Sequence, residues 1–322
     1  MIRGENIRAL ADEWLSSTTR NSEATRETYN NAISAFIRAD VALDNDCLAQ
    51  FDLFLFNTKT TRFNRIYSRA TRNIYITALD QFLAWLEAKN HDISRIRAKA
   101  ALRLARGNQK REPYIYRKPD PRIPQIITYY DDMALPAAYQ SPQQHQLRME
   151  ILRNRAFVHT LLATGARVGE IVLLTRKQIA DGALSETDIR SEKTGELDII
   201  FFDTAAQNAI RAYCAERTDN SEYLFVSHHK PTGNGITRNT AFQIVKRAAI
   251  ELKLSGNTSP HSFRHWLAED MINNEVPLEA VQKIMRHADI KTTEKVYARR
   301  SVTTVRKEIN EYRDRKNKKI NS

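Results

Sequence analysis

The 322-residue chain is expected to be mainly α-helical, with an all-helical N-terminal domain and a second domain of mixed α type carrying one small antiparallel β-sheet. Three observations lead there. Apolar residues recur at three- and four-residue intervals along most of the chain. One short stretch, residues 189–202 (IRSEKTGELDIIFF), has Thr-Gly at its centre with β-branched and aromatic residues after it, the pattern of a hairpin. A basic, proline-containing stretch separates two lengths of chain that are each long enough to bury a core.

Taken in order, Leu10, Trp14, Tyr29, Ile33 and Phe36 mark two amphipathic helices within residues 7–39, interrupted by the polar stretch Ser16 to Ser22. A third helix is expected near Asp46 to Asn57 and a fourth over Ala70 to Lys89, the latter with Tyr75, Ala78, Leu79, Phe82, Leu83 and Trp85 on one side. These make a first domain over residues 1–107. Between Arg95 and Lys118 stand nine Lys or Arg residues against one acid, Glu112, followed by Pro119, Pro121 and Pro124. That reads as a basic helix end and then a stiff linker over residues 108–122. The second domain, residues 123–302, should hold a long helix over Gln146 to Ala163, a helix from about Val168, the hairpin, and helices at Ala205 to Arg217 and Asn239 to Leu252. Two more follow, one beginning after Pro260 and one over Leu278 to Arg286; residues 303–322 form a basic tail.

The net charge of +12, spread along the whole length, favours a polyanionic partner, and double-stranded DNA is the first candidate. No apolar run approaches the roughly 18–20 residues of a spanning helix, and the N-terminus lacks the apolar core of a secretion signal. A cytoplasmic protein that makes no membrane contact is expected, nucleoid-associated if the cell is prokaryotic. Cys47 and Cys214 have no CxxC or Cys/His company, which points to two thiols rather than a disulfide or zinc site. Basic residues that could grip DNA are Arg95, Arg97, Arg103, Arg106, Lys110 and Arg111 around the linker, and Arg238, Lys246 and Arg247 on or before the helix expected at Asn239 to Leu252.

The chemistry-bearing residues lie further along. His261 and Arg264 are three residues apart on one face of a helix start, where free N–H groups and positive potential suit a phosphate. Arg167 follows a Thr-Gly-Ala turn that lets the backbone approach a ligand, and its guanidinium can bind two phosphate oxygens. Lys193 sits at the expected hairpin tip, His287 at a helix end, and Tyr297 on the next segment. Two arginines, two histidines, a lysine and a tyrosine are sufficient for metal-free phosphoryl transfer. The arginines and a histidine can stabilise the equatorial oxygens of a pentacoordinate phosphorus, Tyr297 can attack with His261 as base, and Lys193 can protonate the departing 5′ oxygen. No acidic cluster with metal spacing and no GxxxxGK[ST] loop is present, so neither metal nor nucleotide cofactor is expected.

Together these positions resemble the tyrosine recombinase family of phage integrase type. The first box is ATGARVGEI, with Arg167 and the acidic Glu170; the hairpin lysine is Lys193 in EKTGE; the second box is HSFRHWLA, with His261, Arg264 and His265. The last, MRHADIKTTEKVYAR, holds His287, Thr292, Thr293 and Tyr297. Two features depart from the pattern. Arg286 stands where the family usually has glycine, and the interval from His287 to Tyr297 is one residue longer than the commonest spacing. A charged side chain at position 286 is expected either to clash or to add a phosphate contact.

The resemblance implies a SAM-like core-binding domain at the N-terminus and a recombinase catalytic domain after it, closing as a clamp on a duplex. It implies cleavage through a 3′-phosphotyrosyl intermediate, a homotetramer on two DNA sites exchanging strands through a Holliday junction, and a C-terminal tail that docks on a neighbouring protomer. The simple two-domain length resembles the Xer, transposon and integron kind. A type IB topoisomerase, and a DNA-binding accessory factor with vestigial catalytic residues, are the alternatives.

Overall fold

The computed structural model describes residues 5–18, 23–60, 64–107, 118–137, 141–180, 185–191, 195–229 and 233–286. The chain divides into two compact units, Met1–Tyr114 and Ile115–Ser322.

In the first unit the described residues form five helices, α1 (Glu5–Ser17), α2 (Glu23–Arg38), α3 (Cys47–Asn57), α4 (Arg69–Ala88) and α5 (Arg95–Arg106). Their apolar stripes meet in one core built on Trp14, Phe36, Phe51, Leu55, Leu79, Phe82 and Leu86. Trp14 stacks on Tyr29 at 5.4 Å between ring centroids and tilts against Phe82 at 5.2 Å. Burying each such side chain contributes about 1.5–3 kcal/mol, and this makes the core, rather than helix propensity, the reason the unit holds together. Cys47 is fully buried, and burial pushes its thiol up to about 12.

Helix α5 is a separate helix, where a basic helix end was expected. The break comes at Asn90, whose φ of 62° lies in the left-handed region that ends a helix. Ser94 then caps α5 by accepting from the Arg97 N–H. Only Ala98 and Leu102 of α5 are buried, and ion pairs supply the rest of its attachment. Arg95 forks onto Asp80 at 2.7 and 2.8 Å, and Arg106 forks onto Asp52 at 2.9 and 2.7 Å. These two arginines lie eleven residues apart, three helical turns, and so share the face turned to α3 and α4.

The second unit contains, among its described residues, α6 (Gln125–Asp131), α7 (Pro142–Thr164), α8 (Val168–Ile171), α9 (Arg176–Ala180), β1 (Glu186–Arg190), β2 (Leu197–Phe201), α10 (Thr204–Ala215), α11 (Arg238–Glu251), α12 (Pro260–Asn273) and α13 (Leu278–Met285). Helix α7 is its axis. It starts with Ser141 accepting from the Gln144 N–H and Pro142 in the first turn, and buries residues on every side, Arg153 and Asn154 included. The strands pair antiparallel from Glu186↔Phe201 to Arg190↔Leu197, starting three residues before the expected hairpin. Ile189 and Ile200 face inward while Asp188, Ile199 and Phe201 face out.

Helix α6 was not foreseen, because its seven residues follow three prolines; it is anchored by Tyr130, whose hydroxyl donates to the Ile244 carbonyl at 2.7 Å. Residues 118–122, expected within the linker, are held against the α11–α12 region. Asp120 accepts from the Ser255 N–H at 3.0 Å, Arg122 donates to the Lys253 carbonyl at 3.1 Å, and Trp266 donates to the Pro121 carbonyl at 3.3 Å.

Candidate active site

Helix α7 ends at Gly165, with φ 55° and ψ 16°. Glycine adopts this left-handed conformation without strain, and here it also makes room: a Cβ would lie 2.6 Å from Met285 Cε and 3.0 Å from Leu267 Cδ2. The close approach brings α12 and α13 over the turn that carries Arg167. Arg167 then caps α8 in extended backbone, its N–H donating to Glu170 Oε2 at 2.9 Å and its Nη1 donating to Oε1 at 3.1 Å. The Glu170 side chain is completely buried, while 29% of the Arg167 side chain stays exposed. Burial alone would raise the Glu170 carboxyl. The Arg286 charge, the Arg167 N–H and hydrogen bonds from both guanidiniums outweigh it and hold the carboxyl below its ordinary value.

On α12, Pro260 occupies the first turn and His261 and Arg264 follow at helical spacing. Arg264 is buried, with Nη1 donating to the Gly165 carbonyl at 2.7 Å and Nη2 donating to the Met285 carbonyl. Burial, with Arg167 and Arg286 nearby, pushes Arg264 down to about 10 against the pull of Glu170, which leaves it charged at neutral pH. His261 keeps an exposed edge. Loss of water around the ring lowers it to about 4, and His265, Arg264 and Arg167 push the same way. The free imidazole is thus neutral at physiological pH, the form a base requires. His265 meets it edge to face at 4.3 Å.

The fold therefore brings together four of the residues singled out from sequence, Arg167, Glu170, His261 and Arg264, from segments 99 residues apart at the Gly165–Arg264 bond. Lys193, His287 and Tyr297 lie outside the described residues. The strand ends around Lys193 are described: Ser191 N–H donates to Glu196 at 2.7 Å and Gly195 N–H donates to Ser191 at 2.8 Å, with Gly195 at φ 75°.

Sequence reasoning missed the part played by Arg286. Expected either to clash or to add a phosphate contact, it is buried at the end of α13, where its Nη2 donates to Glu170 Oε2 at 2.7 Å. The signal was present, since a helix end where glycine is usual is a place of left-handed backbone, and Arg286 has φ 49°. Among the residues expected to contact DNA, Arg95 and Arg106 have their guanidiniums engaged by Asp80 and Asp52, and the Lys246 ammonium donates to the Gly256 carbonyl at 3.1 Å. Arg97, Arg103, Arg238 and Arg247 are exposed, and Lys110 and Arg111 lie outside the described residues.

Two guanidiniums, Arg167 and Arg286, thus meet one carboxylate, Glu170, with the Arg264 charge near all three, and the cluster carries a local positive excess. Set in partly dehydrated surroundings, that excess is suited to an oxyanion whose charge grows during reaction.

Residues 136–303, just over half the chain, match the model of the phage integrase family. The tyrosine recombinase XerD of Halalkalibacterium halodurans is 28% identical over 300 residues, covering 87% of this chain and 96% of that one. XerD of Ralstonia nicotianae is 31% identical over 189 residues, 55% of this chain and 56% of its own. Among solved structures, XerH site-specific recombinase bound to a palindromic difH substrate superposes with a TM-score of 0.64 at 15% identity, covering 94% of this chain and 84% of that one. The Tn1549 transposon integrase in complex with a circular intermediate DNA gives 0.63 at 15%, covering 95% and 99%. The helical architecture with its small sheet is that of tyrosine recombinases over nearly the whole chain, and by its sequence match the chain belongs to the phage integrase family, the tyrosine recombinases.

Proposed function

We propose that the chain cleaves and rejoins specific double-stranded DNA sites through a 3′-phosphotyrosyl intermediate on Tyr297. The observation that supports this most is the meeting of Arg167, Arg264 and His261 at the Gly165 turn. In this reading the Tyr297 oxygen attacks phosphorus, with His261 taking its proton. Arg167 and Arg264 stabilise the negative charge on the non-bridging oxygens. The P–O bond to the 5′ oxygen breaks as Lys193 delivers a proton to it, and His287 adds a donor to the phosphate. The phosphotyrosyl ester keeps the energy of the broken bond, so a 5′ hydroxyl from the partner duplex can reverse the step without a cofactor.

The first unit serves as the core-binding half and the second as the catalytic half, and four copies on two sites pass through a Holliday junction. Relatives in this fold have been solved with difH substrate and with transposon circular intermediate DNA, which supports a duplex as the partner. No helix among the described residues is long and apolar enough to cross a membrane, in keeping with a cytoplasmic place of action.

The test uses a nicked suicide duplex carrying a site selected from random sequence by binding. Wild-type protein should accumulate a covalent adduct and Tyr297→Phe none. An adduct from the Phe variant contradicts the nucleophile assignment, and efficient relaxation of a supercoiled plasmid lacking the site would favour a topoisomerase instead.

A further inference from the structure

Arg286 ends α13 with φ 49° and ψ 50°, where a side chain crowds its own backbone and glycine is the residue of least strain. Its side chain is 3% exposed and reaches Glu170 across 116 residues of sequence. Nε and Nη1 of the same guanidinium are buried and have no acceptor among the described residues. Backbone strain, a dehydrated charge and two idle donors all oppose folding, and a buried ion pair does not by itself offset them. Such an outlier beside a reaction centre points to a role there.

The Glu170 carboxylate that Arg286 meets is the one that orients Arg167. A buried carboxylate facing Arg167 without a second cation would draw that guanidinium inward or take up a proton, and both outcomes weaken the arginine meant for phosphate. Arg286 shares the carboxylate's charge and so leaves Arg167 with positive potential toward the open side of the turn. The contact also fastens the chain that leads to His287. Arg264 holds the Met285 carbonyl to the Gly165 turn, and the next residue, Arg286, holds Glu170.

We propose that Arg286 is a positioning residue for strand cleavage, which acts through Glu170 to hold Arg167 toward the phosphate and to register the chain entering His287 against the Arg167 turn. The proposal rests on Arg167 binding the scissile phosphate.

Among the described residues, the charged and titratable groups near Glu170 include Arg167 on its own turn, Arg286 from α13 and Arg264 from α12, with His261 and His265 beside Arg264. With Arg286 gone, only Arg167 of the two guanidiniums that hold the carboxyl low remains among the described residues, so its protonation moves to higher pH. The acid limb of the cleavage profile moves with it.

The experiment measures single-turnover adduct formation on the nicked suicide duplex against pH, with DNA affinity measured in parallel. Arg286→Met should bind DNA within about twofold of wild type yet cleave about ten- to a hundredfold more slowly at neutral pH, the size expected for a displaced catalytic group. Its acid limb should lie at higher pH, and Arg286→Lys should recover most of the rate. Arg286→Gly guards against misfolding, because it relieves the strained backbone; it should melt like wild type and still cleave slowly. Wild-type rates and an unshifted profile in both Arg286→Met and Arg286→Gly overturn the positioning role alone. No adduct from the wild type itself would sink the recombination reading, and this role with it.

Discussion

Both units draw arginines onto buried or half-buried carboxylates, and they do it differently. In the first unit, Arg95 meets Asp80 and Arg106 meets Asp52 fork to fork, two short hydrogen bonds each, with about a third of each arginine side chain still exposed. Lys99 also meets Asp80 and Arg72 also meets Asp52, and the forked arginines act as fasteners for α5. In the second unit, Glu170 has no exposure, each of its two arginines reaches it with one side-chain nitrogen, and Arg286 keeps two donors without acceptors among the described residues. The contrast separates charge that holds a helix from charge kept available for an anion.

The comparison can be broken by substitution, starting where the largest effect is expected. Arg264→Ala removes a phosphate-facing charge together with the bonds to the Gly165 and Met285 carbonyls. Cleavage in single turnover should fall about 100- to 1000-fold, with a lowered melting temperature of the second unit. Next, Glu170→Gln leaves buried guanidiniums without their anion and should destabilise by about 3 kcal/mol in urea unfolding. Asp80→Asn, at a pair whose arginine stays about a third exposed, should cost about 1–2 kcal/mol. Equal losses would erase the distinction between the two clusters. The sign of the pH dependence follows from the depressed carboxyl of Glu170: its contribution is present above the ordinary glutamate range and is lost as pH falls through the lower folded value. Glu170→Gln should flatten that part of the stability curve.

Smaller effects sharpen the picture. An anion placed beside His261 favours its protonated form, so the ring, held low in the free protein by loss of water and the neighbouring cations, should titrate at higher pH in NMR on binding the target duplex. An unmoved titration would remove His261 from the phosphate. Last, Arg97→Ala on the exposed side of α5 should weaken binding modestly and reduce the salt slope by about one, with folding unchanged.

How far the sequence could be read differs element by element. Helices whose inner face is apolar, α4 above all, stood out because periodicity reports burial. Helix α5 did not, since two of the side chains that dock it are arginines whose carboxylate partners lie on other helices. Helix α6 is too short to show a period, and its anchor is a hydroxyl meeting a distant carbonyl. At the site, boxes of residues close in sequence revealed Arg167, Glu170, His261 and Arg264, whereas the Arg286–Glu170 pair spans 116 residues and depends on a left-handed helix end. The thiols, the linker charge and the hairpin tip needed no such contacts to be noticed, but Lys193, His287 and Tyr297 lie outside the described residues.

The most direct measurement sets Arg167→Ala beside Arg106→Ala in single-turnover adduct formation on the nicked suicide duplex, each rate normalised to DNA-bound, folded protein. Arg167→Ala should bind the duplex and lose about 100-fold or more of its cleavage rate, and Arg106→Ala should melt earlier and cleave at the wild-type rate once folded and bound. Wild-type adduct formation by Arg167→Ala would contradict the assignment of the Glu170 cluster to the phosphate.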